Sequence, residues 1–168
     1  MKLKLPEFAQ GIHYRELRGS DPDSHGTYRF KLLTDVSLRI PALALHHKWI
    51  SLRDVNRKEW AFIINDVLTI KAGYAWNGCS PKWWLLGRWM GTPDFEPTRL
   101  GSLFHDVCFQ FLRVADWPLQ IDTCNDLFHA IMAQQGFKLA NTYLGAVRDF
   151  GERFAGKYPR QGEHSVIL

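Results

Sequence analysis

The chain has little that would mark it for secretion, for a membrane span or for nucleic acid. It holds three cysteines, Cys79, Cys108 and Cys124, and an odd number with no framework spacing argues against a disulfide scaffold. Two of them fall in helical apolar patterns, where a thiol packs as a small core residue, so a reducing compartment is expected. No apolar run approaches the ~18 residues of a membrane span. Pro6 interrupts the start of the chain, where a signal peptide needs a continuous apolar stretch, and folding in a cytoplasm is expected. Charge of neither sign predominates. The 21 basic residues face 17 acidic ones, and so small and scattered an excess leaves no electrostatic footprint for nucleic acid. Internal repeats and low-complexity segments are absent, and with 46% hydrophobic residues the composition is too apolar for a disordered chain.

What is present fits one domain over residues 1–168, long enough to bury roughly 70% of its unfolded surface. A polar turn cluster at 19–26 precedes a period-two pattern. Tyr28, Phe30 and Leu32 alternate with Arg29 and Lys31, then Val36, Leu38 and Ile40 with Asp35, Ser37 and Arg39, which predicts strands ended by Pro41. Residues 47–52, 59–64 and 67–76 read as further strands, with Asn65 and Asp66 as turn residues. The sheet-rich part thus runs over 1–76. A tryptophan-rich loop over 77–96 follows, carrying Trp76, Trp83, Trp84 and Trp89 in or beside it. The period then changes to 3.6. Helices are predicted over 98–112, started by Pro97 and Thr98, over 119–135, capped by Gly136, and over 139–154, weakened by Gly145 and Gly151. Residues 157–168 read as a tail without pattern. The fold class is α+β, an N-terminal antiparallel sheet followed by about three helices across 97–156.

His105 and Asp106 interrupt the apolar run Leu103, Phe104, Val107, Cys108 on the first helix. A half-buried imidazole beside a carboxylate is raw material for general base catalysis or metal ligation. A histidine satisfied by a backbone carbonyl and an aspartate at the helix rim would leave the same trace. Adjacent helical residues point about 100° apart, so the two serve neighbouring roles and do not pair. On the second helix, Asp122, Asp126 and His129 share a polar stripe with Asn125 at its edge, which is either a solvated face or a source of partners for His105. Oxygen ligands there would suit calcium or another divalent cation. Zinc on His105, Cys108, Cys124 and His129 conflicts with the apolar placement of both cysteines. In the loop 73–82, the turn pair Asn77 and Gly78 with Ser80 and Lys82 offers amides and side chains to an anion or oxyanion, or simply leads into the tryptophan stretch.

Five ordered blocks, GYAWNGCSPK at 73–82, GTPD at 91–94, LFHDVCF at 103–109, NDLF at 125–128 and YLGAVRDFG at 143–151, resemble the bacteriophage-associated family of unknown function numbered 1353. The resemblance covers about half of the chain. It implies a phage or prophage origin, a place in the host cytoplasm and later in the virion, and no assigned activity. Two departures stand out: that family more often carries aspartate where Asn77 stands, and its helix-two acid aligns with Asn125. A fainter resemblance is to the active-site helices of viral-type phospholipases of the A-two class. It implies His105 as base, Asp106 as calcium ligand, Gly78 and its neighbours as the metal loop, and Asn125 or Asp126 as the group orienting the histidine. Trp83, Trp84 and Trp89 would then suit a phospholipid membrane surface.

Two functions from different classes follow. One is a hydrolase of an ester or phosphoester, phospholipid first, with catalytic residues His105, Asp106, Asn125 and Asp126, and substrate contacts at Asn77, Gly78, Ser80, Lys82, Trp83 and Trp84. The other is a non-enzymatic virion component or host-directed binding protein that uses the tryptophan-rich loop as its interface.

Overall fold

The period-two segments become two antiparallel sheets in the structure, a computed structural model. It describes residues 12–18, 20–24, 28–41, 49–54, 56–79, 82–85, 88–91, 94–112, 117–150 and 164–167, with 82–85, 88–91, 150 and 164–167 given by backbone only. The strands are β1 (Tyr14–Glu16), β2 (Phe30–Leu32), β3 (Val36–Arg39), β4 (Ile50–Arg53), β5 (Glu59–Ile64), β6 (Val67–Ile70), β7 (Ala75–Trp76), β8 (Lys82–Leu85), β9 (Arg88–Gly91) and β10 (His164–Ile167). The helices are α1 (Glu96–Phe111), α2 (Ile121–Gln134) and α3 (Ala140–Phe150). The expected α+β arrangement, strands first and three helices after, is what the chain adopts.

The larger sheet has the order β10-β4-β5-β6-β3 and the smaller the order β1-β2-β7. Asn65 takes a left-handed φ of 57° between β5 and β6, a conformation its short amide side chain tolerates, and this fixes the register Ile64 to Val67. Alternation then sends Leu38, Ile50, Leu52, Ala61, Ile63, Leu68 and Ile70 inward, all buried. They join Leu103, Phe104, Val107, Phe111, Leu127 and Ile131 of α1 and α2 in one core cluster. Each large side chain so buried contributes about 1.5–3 kcal/mol to folding.

Three expectations are corrected. The strand over 67–76 is two strands in two sheets. After Ile70 the chain turns through Gly73, whose φ is +91°, and re-enters as β7 beside β2. The alternation continues through the turn, so periodicity alone does not register the change of sheet. The loop over 77–96 contains the antiparallel hairpin β8–β9. The tail over 157–168 contains β10, which pairs with β4 along its whole length. A strand at a sheet edge needs only backbone groups to pair, and so leaves a weak trace in side-chain pattern. Phe128 packs against Gly101 and His105 of α1 and also belongs to a second cluster with Cys79, Met132, Ala140, Tyr143 and Val147. Residues 151–154 of the third predicted helix lie outside the described residues.

α1 begins two residues earlier than expected, at Glu96, with Pro97 inside its first turn, where the missing N–H costs nothing. α2 ends before Gly136, whose φ of +73° suits a C-terminal cap. Cys79, Cys108 and Cys124 are all buried as thiols. Cys108 is raised well above the ordinary thiol range by its hydrogen bond with Cys124 and by burial.

Candidate functional site

α1 carries a seam of polar residues spaced by four, Ser102, Asp106 and Gln110, all facing the segment that contains β7. Trp76 Nε1 donates to Ser102 Oγ (3.2 Å), the Asn77 amide donates to Asp106 Oδ2 (3.3 Å), and the Tyr74 hydroxyl donates to Gln110 Oε1 (2.8 Å). Spacing by four keeps these side chains on one helical face. The seam therefore docks residues 74–77 along α1 and delivers the turn at Asn77 and Gly78 to Asp106.

His105, one residue on, points to α2. Its Nε2 lies 3.0 Å from Asn125 Oδ1; the amide oxygen accepts, so Nε2 carries the proton and Nδ1 keeps the lone pair. Among the described residues Nδ1 has no hydrogen-bond partner. The ring stacks on Phe109 with centroids 3.9 Å apart and leans on Phe128 at 4.9 Å. Aromatic contacts on two sides and a hydrogen bond at one edge fix the imidazole. The pair His105 and Asp106 thus serve two neighbours, as the 100° separation requires.

The electrostatics follow from burial. Desolvation lowers His105 to about 4, against a raising contribution from the Asn125 hydrogen bond. Desolvation raises Asp106 to about 7; the Asn77 amide pulls it down and the nearby negative charge of Asp94 adds to the rise. At neutral pH the imidazole is uncharged, and Asp106 sits near its midpoint.

Asp94, to which the sequence assigns no role, closes the turn. Gly78 has φ +80°, and a Cβ there would meet the Asp94 carboxylate head-on and lie 2.8 Å from Phe30 Cε2. Arg29, on the strand side, forms an ion pair with Asp94. The next residue, Cys79, donates from Sγ to the Thr98 carbonyl (3.6 Å), and burial pushes its thiol up to about 12. It is a packing group and no nucleophile. Gly78→Ala is expected to cost about 2–3 kcal/mol, because it adds a left-handed penalty to a steric one. Urea denaturation measures this, and a loss below about 0.5 kcal/mol would mean that the turn does not sit against Asp94.

The sequence-predicted residues divide accordingly. His105 is joined to Asn125, and Asp106 to Asn77 and, through the turn, to Gly78. Asp126 does not face His105: its carboxylate is bonded to Arg148 of α3 at 2.8 Å, and its side chain is 45% exposed. Of the two candidates for orienting the histidine, Asn125 holds the position. His129 likewise bonds Asn141 of α3, at 2.7 Å. Ser80 lies outside the described residues, as do the side chains of Lys82, Trp83 and Trp84.

Two observations bear on a cation. Asn77 Oδ1 is buried without a hydrogen-bond partner among the described residues, and such an orphaned acceptor beside a carboxylate fits a hard cation. On the other side, the described residues include no group of three or more His, Cys, Asp or Glu side chains that could hold a metal ion. None of the described helices is long and apolar enough to cross a membrane. No family model, curated protein or solved structure matches the chain.

Proposed function

We propose that the chain is a phage-encoded hydrolase of an ester or phosphoester, with phospholipid as the favoured substrate and His105 as its general base. The observation that supports this most is the fixed, neutral imidazole whose protonated Nε2 is held by Asn125 and whose Nδ1 has no hydrogen-bond partner among the described residues. Water would give a proton to Nδ1 as its oxygen attacks the acyl carbon or phosphorus, and the same proton would pass to the departing alkoxide. Asn125 then stabilises the imidazolium through its amide oxygen, without a charge of its own. The phage origin rests on the five ordered blocks and on nothing in the geometry.

Calcium or another divalent cation, if bound, would be held by Asp106 and Asn77 Oδ1 and would supply charge stabilisation to a developing oxyanion. Two protein oxygens make a weak site, in keeping with amides at Asn77 and Asn125 in place of carboxylates.

The second reading is a non-enzymatic virion component or host-directed binding protein. The polar seam favours it, because Ser102, Asp106 and Gln110 already have structural work in docking β7. The test between the two is hydrolysis of phospholipid vesicles, a soluble short-chain ester and a generic phosphodiester by the purified chain, with calcium, magnesium or chelator. Turnover of any of them, lost in Asp106→Asn only where a cation is required, supports the hydrolase. A wild-type chain inactive on every substrate in every condition removes it and leaves the binding protein.

A further inference from the structure

We propose that the β8–β9 hairpin docks the protein on an anionic phospholipid surface; the proposal rests on the hydrolase reading and deepens it by naming where substrate is presented. The stretch 82–91 reads KWWLLGRWMG, with three tryptophans, two leucines, a methionine, two cations and no acid. Its register opposes Trp84 to Trp89 and Trp83 to Met90, and Lys82 to Gly91 and Leu85 to Arg88. Residues directly opposed in an antiparallel pair share a face, as do residues two apart. One face therefore holds Lys82, Trp84 and Trp89, and the other Trp83, Leu85, Arg88 and Met90. Among the described residues the two strands pair only with each other. An isolated two-stranded ribbon is marginal in water and gains from a surface that accepts its apolar groups.

The composition selects the surface. Indole settles at the headgroup level of a bilayer, and lysine and arginine are drawn to anionic headgroups there. A second copy of the chain is the competing occupant. Two such hairpins would bring cations together on either face, with no acid in the ribbon to answer them. The hairpin springs from the candidate site at both ends, since Cys79 is anchored on Thr98 before it and Asp94 lies against Gly78 after it. Docking the ribbon would set the Asn77–Gly78 turn and the start of α1 beside the lipid headgroups.

The experiment is co-sedimentation of the full chain with phosphatidylglycerol vesicles and, separately, phosphatidylcholine vesicles, with thermal unfolding as the check on folding. Wild type is expected to prefer phosphatidylglycerol by about tenfold or more. Trp84→Ser with Trp89→Ser should lower partition into both by about tenfold or more. Lys82→Glu with Arg88→Glu keeps the aromatic residues and should erase the preference for the anionic vesicle. It also serves as the second variant if the tryptophan pair fails to fold. His105→Gln should bind vesicles as wild type does. Failure of wild type to sediment, sedimentation indifferent to both double variants, or a hairpin-dependent dimer in place of vesicle binding would overturn the proposal. Vesicle binding without hydrolysis would remove the hydrolase and keep the docking element. Hydrolysis of the soluble ester without vesicle binding would do the reverse.

Discussion

His105→Gln is expected to lower hydrolysis by about 10²–10⁴-fold, the usual contribution of a positioned general base. Glutamine can still meet Asn125, but it has no ring to lie between Phe109 and Phe128. A stability loss of about 1–2 kcal/mol at pH 8 follows from the lost packing. The sign of its pH dependence is opposite. The folded His105 titrates at about 4, below its ordinary value of 6.5, so the native state favours the neutral ring. That preference is without effect above pH 6.5 and destabilises the wild type progressively as pH falls toward 4. Glutamine carries no proton to bind. The gap between variant and wild type should therefore shrink by about 1–3 kcal/mol between pH 8 and pH 5. Chemical denaturation at both pH values checks the titration, and initial rates check the base. Retained activity in a folded variant would exclude His105 from the chemistry, and a pH-independent gap would mean that the ring is not held neutral.

The largest stability effect is expected from Phe128→Ala, about 3–5 kcal/mol. Phe128 is 2% exposed and joins three parts of the molecule. Its ring leans on His105, it lies against Gly101 where the two helices come close, and it shares a cluster with Cys79 and with Tyr143 and Val147 of α3. A Cβ at Gly101 would stand 3.3 Å from the Phe128 carbonyl oxygen as well as 3.2 Å from its ring, so the two helix backbones already lie close and have little room to close the cavity. The measured loss should fall in the upper part of the range. A loss below about 1 kcal/mol would show that α2 does not pack on α1 and α3 through this residue. Because the imidazole loses one of its flanking rings, activity should fall as well, more than the loss of folded protein explains.

The elements with strong periodicity were legible. The 3.6-residue repeat of Leu100, Leu103, Phe104, Val107 and Phe111 placed α1 within two residues of its start, and Gly136 marked the end of α2. The interface of β7 with α1 was not read, although its trace is in the sequence: Ser102, Asp106 and Gln110 recur at intervals of four. The dipeptide His105 and Asp106 straddles that stripe, and polar residues facing a sheet look like a solvated face until the sheet is placed. Asp94 was not legible, because its role depends on Gly78 and Arg29, which the fold brings to it from beside β7 and β2. The choice of Asn125 over Asp126 was open in the sequence. One position of rotation on α2 sends the first inward to His105 and the second outward to Arg148.

The pairing of β10 with β4 also sets an order of events during synthesis. A ribosome releases β4, β5 and β6 early, and all three helices follow before residues 164–167 emerge. Until then one edge of the larger sheet offers unpaired amides and carbonyls, a template for the same edge on a neighbouring nascent chain. A strand made after all three helices is the cover for one made before them. Polysomes crowded on one message would be where this protein is most exposed to misassembly, and loss of residues 164–167 would leave that exposure permanent.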